Sequence, residues 1–248
     1  AEGWVAGLRV GVLAVRGHGN ALSKLLKLKG TTAYVMDYLV AEVLDAQSAV
    51  IRRYLLSTSI LDRFCAPLCD ALCGSDTEPG EGEIDGDAFI ARLQKDNLFE
   101  IALDTENQWF RYHHLFQQLL QDQLKRRYET QEIAALHSRA SEWFESQGLI
   151  TESIEHALAA GDAVRAAEII ERHRIVEDNR DRWHVVGEWL DLLPPEIVQK
   201  RPTLLLALAW QRFNQFRLSE VPPLLERVDS LISDTTVDES LLGELDFH

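Results

Sequence analysis

The chain has 248 residues, 46% of them hydrophobic, and a formal net charge of −15 at pH 7. This apolar content supplies a core for one to three domains, while the acidic balance excludes a broad electrostatic surface for nucleic acid. No apolar run reaches the roughly 18 residues that a membrane-spanning helix needs. We therefore expect a protein that contacts neither nucleic acid nor a membrane directly.

Two helices are predicted in the amino-terminal part of the chain. A helix is predicted over residues 4–28. The start of the chain, residues 1–17, is apolar enough to resemble a signal peptide, but Arg9 and Arg16 interrupt the run and no basic segment precedes it. We interpret this stretch as a core helix. The next helix begins near Thr31 or Thr32, since threonine is a favourable N-cap residue and apolar side chains then recur at helical spacing.

Helices are also predicted at residues 48–61 and 66–74, and the second of them has proline in its first turn and glycine just past its end. Residues 75–86 contain glycines and a proline, which predicts a loop. A short helix is predicted at residues 87–97.

Three cysteines, Cys65, Cys69 and Cys73, are spaced four residues apart, so a helix would place them on one face. A zinc site usually has a tighter CxxC pair and a fourth ligand. We therefore predict a buried, reduced cluster without a metal. An odd number of cysteines without a disulfide pattern is typical of the cytoplasm, which is the location we expect.

A β-hairpin is predicted between residues 98 and 112. The apolar run from Leu98 to Leu103 has the pattern of a strand, a polar turn follows at residues 105–108, and the aromatic run from Trp109 to Tyr112 provides a second strand. Three helices, a short helix and a hairpin in this order predict a winged helix, a variant of the helix-turn-helix.

The chain from His114 onward is predicted to be entirely helical. Residues 114–128 and 130–148 form two helices, and two helical hairpins follow with turns at Gly161 and Phe216. The hairpins align at an offset of 55 residues, and both close with an apolar pair followed by Glu-Arg. We interpret them as a weak internal repeat of the kind that begins an α-solenoid, with Phe216 where glycine is usual.

Three stretches resemble the MalT-type, LuxR-family, ATP-dependent transcriptional regulators of the STAND class of signal-transduction NTPases. They are YHHLFQQLLQDQL, LHSRASEWFESQGLITESIEHALAAGDAVRAAEIIE and EWLDLLPPEIVQKRPTLLLALAW. In that family a P-loop domain precedes a winged helix and a helical arm, and a TPR-like sensor and a DNA-binding domain follow. Since no GxxxxGK[ST] sequence occurs here, the resemblance implies a middle fragment without the P-loop and DNA-binding domains.

The resemblance implies a mainly α fold, with a winged-helix domain and its small β-hairpin followed by antiparallel helical hairpins, the start of a TPR-like α-solenoid. Residues 1–30 would end the helical part of the nucleotide-binding region. Residues 31–128 would form the winged-helix domain, residues 129–175 a helical arm, and residues 176–248 the first sensor repeats.

Adjacent histidines, His113 and His114, lie at the junction between the second strand and the next helix. In more distant STAND proteins a winged-helix histidine of a Met-His-Asp motif contacts the β-phosphate of bound ADP, and Tyr112-His113-His114-Leu115 resembles that motif. The resemblance implies that His113 is the ADP phosphate sensor of the intact protein. His114 replaces the acid of the motif, so no role is transferred to it.

Elementary chemistry is compatible with a phosphate contact, because a helix N-terminus offers N–H groups and positive potential to an anion. The alternative that one or both rings pack beneath the wing stays open. A metal pair is geometrically poor, since adjacent side chains on a helix point about 100° apart.

The resemblance implies a regulatory function. The winged helix would hold the resting ADP-bound state, the helices would relay an inducer signal, and self-association would follow activation. The fragment itself would be no enzyme and would hold no cofactor or metal, while ADP and ATP would bind the intact parent. Its partners would be the NTPase and sensor domains of the same chain and a small-molecule or protein inducer.

Two alternatives remain. A free-standing helical-repeat adaptor would bind a protein or peptide without any dependence on nucleotide. A small hydrolase would use His113, but Ser138 and Ser141 belong to a different predicted helix and no GxSxG sequence occurs.

Overall fold

The computed structural model describes residues 44–74, 84–96, 100–106 and 108–233, which form two compact units divided between Leu136 and His137. Each unit is described by itself. The helix predicted over residues 4–28, and the start of the one predicted from Thr31 or Thr32, lie outside the described residues. None of the described helices has the length and hydropathy that crossing a bilayer requires.

The described residues of the first unit contain four complete helices and a two-stranded antiparallel sheet. In chain order these are α1 Ala49–Thr58, α2 Ala66–Cys73, α3 Gly86–Asp96, β1 Glu100–Ala102, β2 Phe110–Tyr112 and α4 His114–Arg127. The order and type of these elements confirm the predicted winged helix with its small hairpin.

Helix α5, Thr130–Ser146, contains the division between the units, and the second unit is helical throughout the residues that the structure describes. Its further helices are α6 Ile150–Ala159, α7 Ala163–Asp178, α8 Trp183–Leu192, α9 Pro195–Val198, α10 Pro202–Asn214 and α11 Val221–Ser233, with a 3-10 turn at Leu218–Glu220 before α11. The prediction of a mainly α chain with antiparallel helical hairpins is therefore confirmed.

Helix α2 places the three cysteines as predicted. Cys65 is its N-cap residue, and Cys65, Cys69 and Cys73 are all buried thiols. Burial raises the pKa of the Cys65 and Cys69 thiols, which keeps them protonated and unreactive at neutral pH. The predicted buried, reduced cluster is confirmed, and no group of three or more metal-ligating side chains occurs among the described residues.

The wing is joined to the helices by backbone pairing. Strands β1 and β2 pair Glu100 with Tyr112 and Ala102 with Phe110, and Phe110 also exchanges backbone hydrogen bonds of 2.8 and 2.9 Å with Phe64, the residue that precedes Cys65. Strand β2 is thus held on both edges. This arrangement fixes the position of the residue that follows β2, where α4 begins.

Four helices, α5, α6, α7 and α10, end in the same backbone motif. A residue with positive φ follows each helix: Gly148 at 73°, Gly161 at 82°, Asp181 at 61° and Phe216 at 59°. In each case the next residue donates its N–H to a carbonyl five residues earlier, at 2.9 or 3.0 Å. These are Schellman motifs, which satisfy carbonyls that the helix end leaves without partners.

The two predicted hairpins correspond at their turns, because Gly161 and Phe216 occupy the same position of this motif. Their apolar pairs differ in packing. Ile169 and Ile170 are fully buried in the core of the second unit, whereas Leu224 and Leu225 are only partly buried against it. Helix α11 therefore packs less completely than α7.

Alanine substitutions at two glycines test the packing of the first unit: Gly74 caps the end of α2, and Gly86 begins α3. A Cβ added at Gly86 would overlap the Ala66 carbonyl, whereas one added at Gly74 meets nothing within 4 Å. We expect Gly86→Ala to lower the free energy of unfolding by about 1–3 kcal/mol because backbone must move to make room. Gly74→Ala, at φ −68°, should leave stability unchanged or raise it. Urea unfolding of both variants measures the difference, and equal effects would contradict this account.

Candidate functional site

The start of α4 is anchored by the buried side chain of Tyr112. Its hydroxyl lies 2.7 Å from Thr58 Oγ1, which itself donates to the Tyr54 carbonyl at 2.6 Å. Thr58 therefore accepts from the Tyr112 hydroxyl. The Tyr112 ring packs 4.7 Å from the ring of Phe64 and edge-on to Phe116 at 5.8 Å. The last residue of β2 is thus fixed to α1 and to the first turn of α4.

His113 is the N-cap residue of α4. Its backbone is extended, with φ −59° and ψ 131°, and its Nδ1 accepts a hydrogen bond of 3.4 Å from the Leu115 N–H. Its carbonyl accepts from the Gln117 N–H at 3.0 Å, which closes the first helical turn. His113 is half-buried, whereas His114 is exposed and stacks on it with 4.4 Å between ring centroids.

Two glutamines on α4 hold this helix against the segment after α1. Gln117 Nε2 donates to the carbonyls of Ser59 and Leu61 at 3.1 and 2.9 Å, and Gln121 Nε2 donates to the Ser59 carbonyl at 2.9 Å. Ser59 is fully buried, so its carbonyl needs these protein donors. The contacts define the direction in which the N-terminus of α4 points.

The capping bond determines which nitrogen of His113 is the donor. A neutral ring that accepts at Nδ1 carries its proton on Nε2, and Nε2 is then the atom that donates. A donor at a helix N-terminus suits an anion, because the helix dipole contributes positive potential there. The Nε2–H group and the helix N-terminus are donors of the kind that an anionic group accepts from.

A second pair of histidines comes together in the second unit, on α5 and α6. His137 Nδ1 and His156 Nδ1 lie 2.9 Å apart, and the His156 ring stacks on Phe144 with 5.3 Å between centroids. Burial lowers the pKa of both imidazoles, and the neighbouring His137 lowers the pKa of His156 further, to about 4. The sequence alone did not indicate this pair.

The same face of α5 continues with buried polar contacts. Ser141 and Ser153 each donate a hydroxyl to the other's carbonyl at 2.8 Å. One turn further, the Glu145 carboxylate binds Arg165 and Arg172 at 2.8 Å and His173 at 3.2 Å.

The Glu145 side chain is only 11% exposed, and α7 supplies three partners for it. The four-residue spacing of His137, Ser141 and Glu145 was the signal for a polar contact face. That spacing is also typical of a helix face in water, so the sequence alone does not distinguish the two arrangements.

The winged helix has a match among known families. Residues 40–132 match the family model of the MalT winged helix domain. The segment includes α1 to α4, the wing and His113, so the predicted resemblance to the MalT-type regulators is confirmed.

Relatives align with nearly all of this chain. Serine/threonine-protein kinase PknK of Mycobacterium tuberculosis is 30% identical over 98% of the chain, which covers 21% of that protein. HTH-type transcriptional regulator MalT of Klebsiella pneumoniae is 32% identical over 98% of the chain, which covers 26% of it. The chain thus corresponds to about a quarter, or less, of the length of these relatives.

The His137 and His156 pair predicts a loss of stability in acid. Above pH 6.5 both imidazoles are neutral whether the chain is folded or unfolded, so the pair adds no pH dependence. As pH falls from 6.5 to about 4, the unfolded chain binds a proton that folded His156 does not, and the free energy of unfolding decreases. At about 1.4 kcal/mol per pKa unit, the loss is on the order of 3 kcal/mol.

Urea unfolding of His156→Gln at several pH values measures this effect, because carboxylates contribute the same background to both proteins. The variant should lose less stability than the wild type between pH 6.5 and 4. His184→Gln, at an exposed histidine on α8, is the matched control. If the free energy of unfolding of His156→Gln and of the wild type falls equally with pH, His156 is not the source of the acid sensitivity.

Proposed function

We propose that the chain is the regulatory and signal-transmitting segment of an ATP-dependent transcriptional activator of the MalT type. The match of residues 40–132 to the MalT winged helix domain carries this proposal, and the 32% identity to MalT over 98% of the chain supports it. In this proposal the parent is a LuxR-family STAND protein of the cytoplasm. The segment itself catalyses no reaction and contacts no nucleic acid.

The proposal assigns one role to each region that the sequence predicts. Residues 31–128 act as the winged helix, residues 129–175 as an arm, and residues 176–248 as the first TPR-like sensor repeats, with residues 1–30 closing the nucleotide-binding region. An inducer bound to the sensor changes the position of the arm, and ATP replaces ADP. The activated protein then self-associates.

His113 is the proposed contact to ADP in the resting state. It caps α4 through Nδ1, so a phosphate oxygen would accept from Nε2 while the cap stays intact. A second proton on the ring would occupy Nδ1 and abolish the cap, so the neutral ring is the form that serves both contacts. One hydrogen bond to a charged phosphate is worth about 1.5–3 kcal/mol, which matches the coupling energy of many allosteric switches.

In a second candidate function, the segment is also regulatory, but the activity that it controls in the parent is not transcription. PknK is named a serine/threonine-protein kinase and aligns with 98% of the chain at 30% identity. In a parent of that kind the same segment would control a kinase domain. The winged-helix contact to nucleotide is common to both candidates, so one variant tests it in either parent.

In an intact parent that contains the nucleotide-binding domain, His113→Asn should weaken ADP binding about ten- to hundredfold. Asparagine still caps α4, so the loss reports the imidazole and leaves the helix start in place. Basal output, measured as transcription or as kinase activity, should rise because the resting state is less stable. Isothermal titration with ADP and an activity assay without inducer measure the two effects.

His114→Asn is the matched control, because His114 is exposed and does not cap the helix. It should leave ADP affinity and basal output unchanged. If His113→Asn also leaves both unchanged, the sensor role is wrong and the side chain serves only as a cap. Output that responds to a protein or peptide partner without any dependence on nucleotide would favour the helical adaptor instead.

A further inference from the structure

Phe216 occupies a position that is unfavourable in two ways. Its side chain is 88% exposed, the highest value among the exposed large hydrophobic residues of the described chain. Its φ of 59° lies in the left-handed region, where a Cβ is too close to the following carbonyl oxygen. A phenyl ring this exposed buries little apolar surface in the described part of the chain, so it does little to offset the strained backbone conformation.

The other three Schellman motifs show what local stability favours at this position. Two have glycine, which adopts positive φ without steric cost, and Asp181 belongs to a residue type that tolerates it. In the corresponding hairpin the residue is Gly161. Because the exposed ring adds little to the packing of the described residues, we look for its role in binding, where strained residues often occur.

Phe216 lies within a small apolar surface. Phe213 is 52% exposed and Leu218 is 55% exposed, and both lie within three residues of Phe216. Phe213 rests on the ring of Trp210, at 5.7 Å between centroids and 13° between planes. We call Phe213, Phe216 and Leu218 the Phe216 patch, which lies at the turn between α10 and α11.

Cationic groups border this patch. Arg212 Nε lies 3.2 Å from one oxygen of Glu220, and Arg217 Nε donates to the other oxygen at 2.7 Å. Two guanidinium groups share one carboxylate, so a net positive charge remains beside the Phe216 patch. The whole chain has a net charge of −15, and this small basic and apolar surface therefore contrasts with its average.

We propose that the Phe216 patch docks an acidic amphipathic segment of a partner protein. Apolar side chains of that segment would cover Phe216 and Leu218, as aromatic anchors are covered in interfaces. Its carboxylates would pair with Arg212 and Arg217, since guanidinium groups bind carboxylates in a fixed geometry. The proposal is independent of the nucleotide role of the winged helix.

The charges beside the Phe216 patch favour an acidic protein segment over a second copy of the chain or a lipid surface. A second copy of the chain that used the same patch would bring two pairs of arginines face to face, which is repulsive in a two-fold interface. An anionic lipid surface would meet the strong negative charge of the whole chain. An acidic segment complements the arginines and also covers the apolar ring.

The test uses the 248-residue chain and two synthetic amphipathic helical peptides. Both have leucines on one face, and the other face has glutamates in the probe and lysines in the control. Fluorescence anisotropy should show at least about tenfold tighter binding of the glutamate peptide. Phe216→Gly should weaken that binding about tenfold or more, as truncation of an interface anchor does, while the melting temperature stays equal or rises.

Further variants separate the contributions. Arg217→Gln should reduce affinity for the glutamate peptide and reduce the salt dependence of binding, because one charge contact is lost. Val164→Ser, at an apolar residue that is 49% exposed beside the turn of the other hairpin, is the control and should bind normally. Phe216→Asn is a second variant, since asparagine also tolerates positive φ.

Three results would overturn the proposal. They are equal affinity for the two peptides, unchanged binding of the glutamate peptide by Phe216→Gly, and absence of measurable binding. A fourth result would come from sedimentation of the chain over a range of concentrations. Self-association that Phe216→Gly abolishes would assign the patch to a second copy instead.

Discussion

The buried hydrogen bond between Tyr112 and Thr58 determines where the candidate site lies. It joins the last residue of the wing to the end of α1, at a point where Phe64 and Phe116 surround the tyrosine ring. The next residue, His113, must therefore begin α4 at a fixed place and cap it. Because both groups of this bond are buried, losing either partner would leave a polar atom without water, so the wing and α4 keep one arrangement.

The second unit depends on a different constraint, the repeated termination of its helices. Four Schellman motifs give its helices the same end geometry, and three of them have residues suited to positive φ. Phe216 is the exception, and the proposed docking role rests on that contrast. The polar contacts from His137 to Glu145 add specificity to the packing of α5, α6 and α7, because hydrophobic contacts alone do not define one register.

Elements with local signals could be predicted. Proline in the first turn of α2 and glycine after it marked both ends, and the polar turn between two aromatic or apolar runs marked the wing. Contacts between distant residues could not be predicted. His137 and His156 are 19 positions apart, and Glu145 meets its partners 20 to 28 positions later. Their meeting depends on how the helices turn back on each other.

The sequence by itself determined the helical class, the winged-helix order of elements and the place of His113 at the start of a helix. These features depend on residue spacing and on residues that begin or end helices, which act over a few positions. Only the tertiary structure decided that Nδ1 of His113 is the capping atom, that the Glu145 side chain is only 11% exposed, and that Phe216 is exposed in a left-handed conformation. Burial and hydrogen bonding are set by neighbours in space, and spacing along the chain does not specify them.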